Sequence, residues 1–357
     1  QGMPENSERR QRDALVDGEN MQVRGRFKEA LHSLKFSRRY GEHSKRWRNE
    51  LPWYLLIGDE GSGKTRLLTA SGSRFPLDRN EAESQVGGTR YCDWYFADDG
   101  VLIDTAGRYL TQADSRVDAA GWSTLLKLLK ARRRVRPLNG VVVTLSMDAL
   151  LHAGEHALDT QARKVHSRLL EIQQALHVDL PVYLVVTQAD RLPGFAEFFD
   201  GPQGEDSDAL LGECLADGNG GSDVAQVRRA FEALLQRLSS ELIQRLHQER
   251  NSERRGQMLD FPHQAAGIGE GLCRFIEAAF SAHRYQHING LRGFYLTSAG
   301  GAPETVERRG QFIHGFFSRV VFAESDLAGL DPSEQRRIRR RHSLLALTSF
   351  LLIGTAG

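Results

Sequence analysis

The sequence is short of several things, and each shortage excludes something. Cysteine is the first: three in 357 residues, at positions 92, 214 and 273. An odd number at wide spacing excludes a disulfide framework and a clustered zinc site, and points to reduced thiols in a cytosolic compartment. Charge of one sign is the second: 47 Lys and Arg against 46 Asp and Glu leave a net +1. That balance carries no global signature of a nucleic-acid partner, and none is expected. The first 20 residues are polar and charged, so no cleavable leader is expected. No internal repeat is found. Finally, no apolar run reaches the roughly 20 residues that a helix needs to cross a bilayer.

The longest candidate run is SLLALTSFLLIGTAG (343–357), preceded by RRIRRRH (336–342). Thirteen uncharged residues, 344–356, make it read as the start of a truncated transmembrane helix, its arginines holding that side in the cytoplasm. A buried or amphipathic C-terminal helix is the alternative. The remaining bulk, 40% apolar and 26% charged, is that of a soluble globular protein with room for more than one domain.

The stretch WYLLIGDEGSGKTRLL (53–68) organises the chain. It reads as a buried strand, a glycine-rich turn and a helix starting near Lys64. Gly58, Gly63, Lys64 and Thr65 fit G-x-x-x-x-G-K-[ST], the phosphate-binding pattern of P-loop NTPases. Glycines, Gly61 among them, let the loop curl until successive N–H groups, that of Ser62 included, point at phosphate oxygens. Lys64 then reaches the β- and γ-phosphates, and the Thr65 hydroxyl ligates Mg²⁺. A loop that has kept this shape and lost its nucleotide is the bland alternative.

Two strands follow, 91–97 and 101–104, joined at Asp98-Asp99-Gly100, a hairpin turn signal. The second runs into Asp104-Thr105-Ala106-Gly107. An apolar strand ending in D-x-x-G is the second element of a GTPase-type site. Asp104 is expected in the Mg²⁺ shell, and the Gly107 N–H at the γ-phosphate. Thr89 stands where a switch threonine closes on both; otherwise it is an ordinary loop threonine. The strand PVYLVVT (181–187) ends in Thr187-Gln188-Ala189-Asp190, where guanine readers carry [N/T]-K-x-D. Asp190 would accept two hydrogen bonds from the base. Gln188 replaces the lysine whose stem covers it, which weakens guanine selectivity. GFYLT (293–297) resumes the sheet, and Ser298 and Ala299 fall where the last base-contacting loop belongs.

A glutamine to position water just after D-x-x-G is also lacking. Arg108 and Tyr109 stand there. Arg108 either neutralises transition-state charge or makes a salt bridge, and Gln112 is a further catalytic candidate beside Lys64. Hydrolysis that is slow, or completed by a partner, is expected. The cofactors implied are Mg²⁺ and ATP or GTP.

The alternation of strands and helices predicts an α/β fold, a P-loop NTPase (GTPase-like) with a mainly parallel sheet and its site at the strand C-termini. A disordered tail (1–22) and a connecting helix (23–50) with Phe27, Leu31, Leu34 and Phe36 as apolar positions precede it. The NTPase-like domain covers 51–200 and 290–323. It contains a polar loop (72–88), a basic cluster at 132–136 read as a solvated face, and a helix whose apolar residues Leu158, Ala162, Val165, Leu169, Ile172 and Leu176 form one stripe. Residues 201–289 read as a helical insertion: a mobile Gly/Asp-rich loop, a helix from Val227 to Leu246, a charged break at 250–257, a stop at Pro262 and a last helix. Phe312, Phe316, Val320 and Val321 mark a closing helix. A basic connector (324–342) leads to the apolar end.

Seven ordered segments carry a resemblance: LPWYLLIGDEGSGKT (51–65), SGSRFPL (71–77), GTRYCDWYF (88–96), LIDTAGRYLTQ (102–112), PLNGVVVTLS (137–146), PVYLVVTQAD (181–190) and RGFYLTSA (292–299). Together they are similar to the TssM (IcmF-like) family of bacterial type VI secretion systems. The resemblance implies an inner-membrane protein whose cytoplasmic NTPase-like domain lies between a membrane hairpin and a third membrane helix. It implies TssL, TssJ and baseplate proteins as partners, and a homo-oligomer in the complex. Asp59 and Glu60 depart from the family's pattern, where the resemblance implies that small or apolar residues are commoner; two carboxylates beside phosphates cost affinity unless they point to solvent. Three readings follow: a nucleotide switch that drives assembly, an inert NTPase-like scaffold that docks partners, and a soluble GTPase whose C-terminal run is buried.

Overall fold

In a computed structural model of the chain, the structure describes residues 3–36, 51–71, 89–97, 99–200, 209–215, 223–280, 290–300 and 310–330. The strands are Trp53–Ile57 (β1), Cys92–Ala97 (β2), Gly100–Thr105 (β3), Gly140–Ser146 (β4), Val178–Asp179 (β5), Val182–Thr187 (β6), Gly212–Cys214 (β7), Leu291–Leu296 (β8) and Gly329–Leu330 (β9). Seven of them form one sheet in the order β2-β3-β1-β4-β6-β8-β7, while β5 and β9 pair separately. The five central strands are parallel, and β2 and β7 are antiparallel at the edges. Every residue of β1, β3 and β6 is buried. That is why they read as continuous apolar runs: a parallel sheet is covered on both faces.

Period-2 alternation divides the strands between two cores. Trp53, Leu55 and Ile57 join one, which also takes Val141, Val143 and Leu184. Tyr54 and Leu56 face the other, with Tyr183, Tyr295 and Phe316. The chain leaves β1 for β3 on one side, then crosses to β4 on the other. The order reverses at β1, and the crevice beyond its carboxyl end is where such sheets place ligands.

The helices are Met3–Phe36 (α1), Lys64–Thr69 (α2), Gly107–Thr111 (α3), Ser115–Arg132 (α4), Met147–His152 (α5), Glu155–Leu176 (α6), Phe195–Phe199 (α7), Val224–Gln248 (α8), Ser252–Gly267 (α9), Gly269–Phe280 (α10) and Ile313–Gly315 (α11). The stripe expected on α6 is buried throughout.

Five expectations are corrected. The disordered tail is the first half of α1, one continuous helix from Met3. Val23, Phe27, Ala30 and Leu34, spaced 4, 3 and 4, bury the second half, and Phe27 meets the Trp94 ring edge-on. The insertion is not wholly helical: β7 lies in its first loop and pairs with β8. Gly212 permits this, since a Cβ there would stand 2.2 Å from Phe294 O. Helix α9 starts inside the expected charged break, because Asn251 caps it by accepting from the Glu253 and Arg254 N–H groups, and it runs on through Pro262. Phe261, beside that proline, packs against Phe195, Phe198 and Phe199 and so holds the turns on either side. The closing helix is one turn, α11, that leads into π-helical Phe316–Val321. In the basic cluster Arg133 is buried, with its guanidinium 4.8 Å over the Trp53 ring.

The loop at 72–88, residues 37–50 of the connecting helix, and 331–357 with the apolar run lie outside the described residues. Among the described residues no helix is long and apolar enough to cross a membrane.

All three thiols are free. Burial pushes the Cys92 thiol up to about 12, Cys273 is also buried, and Cys214 is exposed. At about pH 8 a thiol reagent is expected to modify Cys214 in the native protein, and Cys92 only after unfolding. Peptide mass spectrometry after timed labelling checks this; native labelling of Cys92 would contradict the packing of β2.

Candidate functional site

The loop between β1 and α2 sits at the reversal point of the sheet. Gly61 and Gly63 both adopt φ of 75°, the left-handed conformation that glycine adopts freely. The flanking strands hold the loop. Thr144 of β4 shares a hydrogen bond with the Ser62 hydroxyl (2.8 Å), and Thr187 at the end of β6 donates to Ser62 O (2.7 Å). Gly58 admits Thr144: a Cβ there would meet its Oγ1 at 2.0 Å. The Gln188 amide donates to Gly61 O at 3.1 Å. Lys64, 6% exposed, folds its ammonium over the loop and donates to Gly58 O (2.7 Å) and Asp59 O (2.9 Å).

Beside the loop, three residues from three segments meet. Asp104, fully buried at the end of β3, accepts on Oδ2 from Thr65 (2.7 Å) and Thr89 (2.6 Å). Its Oδ1 is buried without a partner. Burial pushes the Asp104 carboxyl above the usual range, against the opposing pull of Lys64 and the two hydroxyls. Burial likewise lowers Lys64, against Asp104, Asp59 and Glu60. One carboxylate and two hydroxyls are hard oxygen donors. They fit Mg²⁺, which keeps several of its own waters and shares its shell with phosphate. The unpartnered Oδ1 is the sort of buried acceptor a cation would satisfy. Among the described residues there is no cluster of three or more His, Cys, Asp or Glu, so a cage made only of these side chains is not offered.

The folded protein binds the Asp104 proton more readily than the unfolded chain does. The neutral carboxyl's contribution to stability is therefore complete below the unfolded value and is lost as pH rises through the folded one. Asp104→Asn, neutral at every pH, is expected to melt above the parent in metal-free buffer at about pH 7, with the gap closing toward pH 4. Calorimetric melts across that range check it; a parent that melts higher at neutral pH would contradict it.

The D-x-x-G glycine abuts the loop backbone to backbone: a Cβ on Gly107 would lie 2.3 Å from Glu60 N. Glu60 is exposed, while Asp59 is half-buried with Oδ1 unpartnered. Burial raises the Asp59 carboxyl, and Lys164 and Gln161 of α6 face it and oppose the shift. The salt-bridge alternative for Arg108 is the one realised: it is held by Glu19 (2.6 Å) and Asp118 (2.5 Å). Gln112 ends α3 with φ of 49°. At the far end of the loop, Asp190 accepts from the Ser298 hydroxyl (2.6 Å), and Ala189 N–H bonds Thr297 O. Asp190 and Thr297, with Gly63, Gln188 and Ala299, line a cavity of about 40 Å³, where Arg66 donates to Gly300 O. A larger cavity, about 510 Å³, lies between α6, α8 and α10. Its Arg228 and Arg274 are already paired with Glu270 and with Glu155 and Asp159, so the convergent chemistry is at the loop.

The structure thus gathers Gly58, Gly61, Ser62, Gly63, Lys64, Thr65, Thr89, Asp104 and Gly107 at one end, and Gln188, Asp190, Ser298 and Ala299 at the other. Sequence reasoning missed Thr144, Gln161, Lys164 and Glu19. Thr144 had a signal, a polar residue inside an apolar strand; the other three are brought in by tertiary packing.

This is a doubly wound α/β protein with a mostly parallel sheet and a glycine-rich loop at the topological switch point. Residues 115–349 match the model of the IcmF-related N-terminal domain. A curated relative, the type VI secretion system component TssM1 of Pseudomonas aeruginosa, is 36% identical over 361 aligned positions. That alignment covers 93% of this chain and 33% of the relative, so the chain spans about a third of the relative's length. The chain belongs to the IcmF-related (TssM) family of type VI secretion proteins. Among solved structures, a GTP-binding protein of Sulfolobus solfataricus in complex with GDP aligns at 12% identity and a TM-score of 0.24, over 50% of this chain and 51% of that one.

Proposed function

We propose that the loop at 58–65 binds the phosphates of ATP or GTP with Mg²⁺, as the NTPase-like part of a type VI secretion membrane complex. Binding or slow hydrolysis is then coupled to assembly of the apparatus. The observation that carries this reading is the meeting of Thr65 and Thr89 on the buried Asp104 carboxylate, beside the folded-back Lys64. When bound, Mg²⁺ would supply charge neutralisation to the phosphates, and Thr65, Thr89 and Asp104 would hold it. Lys64 would bind phosphate oxygens in place of its carbonyl partners, the Gly107 N–H would serve the γ-phosphate, and Asp190 would receive the base. Ser298 occupies one Asp190 oxygen and leaves the other as acceptor. The inner membrane, TssL, TssJ, baseplate proteins and further copies of the chain are the surroundings this reading assigns.

One observation favours the scaffold reading. Arg108 is committed to Glu19 and Asp118, and no glutamine takes its place after Gly107. Turnover is therefore slow, or completed by a group from a partner.

Calorimetric titration with ATP and with GTP, each with and without Mg²⁺, tests the proposal. Mg²⁺-dependent binding of either nucleotide is the expected result. No binding of either leaves the scaffold that docks membrane-complex and baseplate partners.

A further inference from the structure

Helix α1 is joined to the domain by a buried polar cluster as well as by its apolar stripe. Glu19 is 7% exposed. Its carboxylate accepts from Arg108 Nη2 at 2.6 Å and from the Tyr109 hydroxyl. Arg108 Nη1 donates to Asp118, itself 3% exposed, and Asp118 also accepts the Asp114 N–H. Arg108 Nε and Nη2 further donate to the carbonyl of Arg90, the neighbour of Thr89. The guanidinium lies 5.4 Å from the Tyr91 ring centroid and 4.9 Å from that of Tyr109. Helix α4 leaves no slack, for a Cβ on Gly121 would meet Glu19 Oε1 at 2.7 Å and the Tyr109 hydroxyl at 2.8 Å. One arginine thus ties α1 to both segments that flank the site, the one carrying Thr89 and the one carrying Gly107.

Stability does not require such a cluster. Replacing buried ionic groups by apolar side chains is often neutral or stabilising, and their best-attested use is to fix register. An apolar stripe tolerates small axial slips; a carboxylate clamped by a guanidinium and a phenol does not. Upstream of Glu19, residues 9–15 are exposed. The 34-residue helix spans about 51 Å at 1.5 Å per residue. It has the form of a lever with its fulcrum at the site.

We infer that Glu19 is a positioning residue, and that the axial placement of α1 is a regulatory input to the Thr89 and Gly107 segments. Its regulatory meaning rests on the nucleotide reading above; the mechanical link rests on the geometry of Glu19 and Arg108 alone. The test uses the full chain as parent, Glu19→Ala, Glu19→Gln, and Phe27→Ala as a control that loosens α1 without touching the cluster. Amide exchange at 107–112 is measured beside affinities for a non-hydrolysable triphosphate and for a diphosphate. Glu19→Ala is expected to speed exchange about tenfold. It is expected to change the triphosphate-to-diphosphate affinity ratio about fivefold, since on the nucleotide reading Gly107 would serve the γ-phosphate. Glu19→Gln, which keeps an acceptor, lies between; Phe27→Ala lowers the melting temperature and leaves both readouts unmoved. Exchange within about twofold of the parent in both Glu19 variants overturns the link. A parent that binds neither nucleotide overturns the regulatory role together with the nucleotide reading, and exchange then decides the mechanical link by itself.

Discussion

Lys64→Ala is expected to abolish Mg²⁺-nucleotide binding while leaving the domain folded. Both halves of that result follow from where the ammonium lies. It folds over the loop and donates to Gly58 O and Asp59 O, carbonyls of the loop itself. A hydrogen bond to a charged partner contributes about 1.5–3 kcal/mol, so losing two removes about 3–6 kcal/mol, or roughly 10²–10⁴ in affinity. The fold loses less, because burial already disfavours the charged form, and truncation removes that desolvation cost along with the bonds to Gly58 O, Asp59 O and the Ser62 hydroxyl. Titration calorimetry and a thermal melt on the same sample separate the two halves. Parent-like affinity in the variant would show that residues 58–65 do not carry the phosphates. Parent-like secretion and complex assembly despite lost binding would leave the loop a purely structural element.

Gly107→Ala should act in the opposite way, on the fold first. The added methyl would lie 2.3 Å from Glu60 N, 2.7 Å from Glu60 Cα and 2.9 Å from Asp59 C, all backbone atoms that cannot rotate aside. Overpacking of this kind costs about 1–3 kcal/mol. Gly61→Ala is the matched control, since it too adds one methyl to this region but meets nothing within 4 Å. Its φ of 75° leaves only backbone strain, about 1 kcal/mol. The Gly107 variant is thus expected to melt lower than the Gly61 variant. It should also lose affinity for triphosphate more than for diphosphate, because the two segments are forced apart at the γ-phosphate end. Equal melting temperatures would mean that D-x-x-G and the loop do not touch in solution.

Legibility in the sequence followed the range of the interactions. The loop was readable because its chemistry lies within eight consecutive residues. Asp104 and Gly107 were readable because an apolar strand delivers them at once. The β4 and β6 strands announced themselves as β-branched runs, and α6 as a 4-3-4 stripe. The first half of α1 carries no apolar stripe to read: residues 9–15 are exposed, and a polar run of this kind reads as disorder in the sequence alone. Strand β7 is three residues long and too short to show a period. Lys164 and Gln161 sit on a helix read correctly for its apolar face, and nothing in their spacing reveals that Asp59 lies opposite. Arg108 had two stated roles, and only a residue 89 positions away in sequence, Glu19, selects between them.

The three residues of β7 also bear on how the chain behaves in company. A row of unpaired backbone donors and acceptors at a sheet margin is a template on which foreign strands can add. Here the margin beyond β8 is closed by a segment too short to template much, and Glu213 within it is charged and paired with Arg237 of α8. At this margin of the sheet, pairing with a foreign strand is thereby disfavoured.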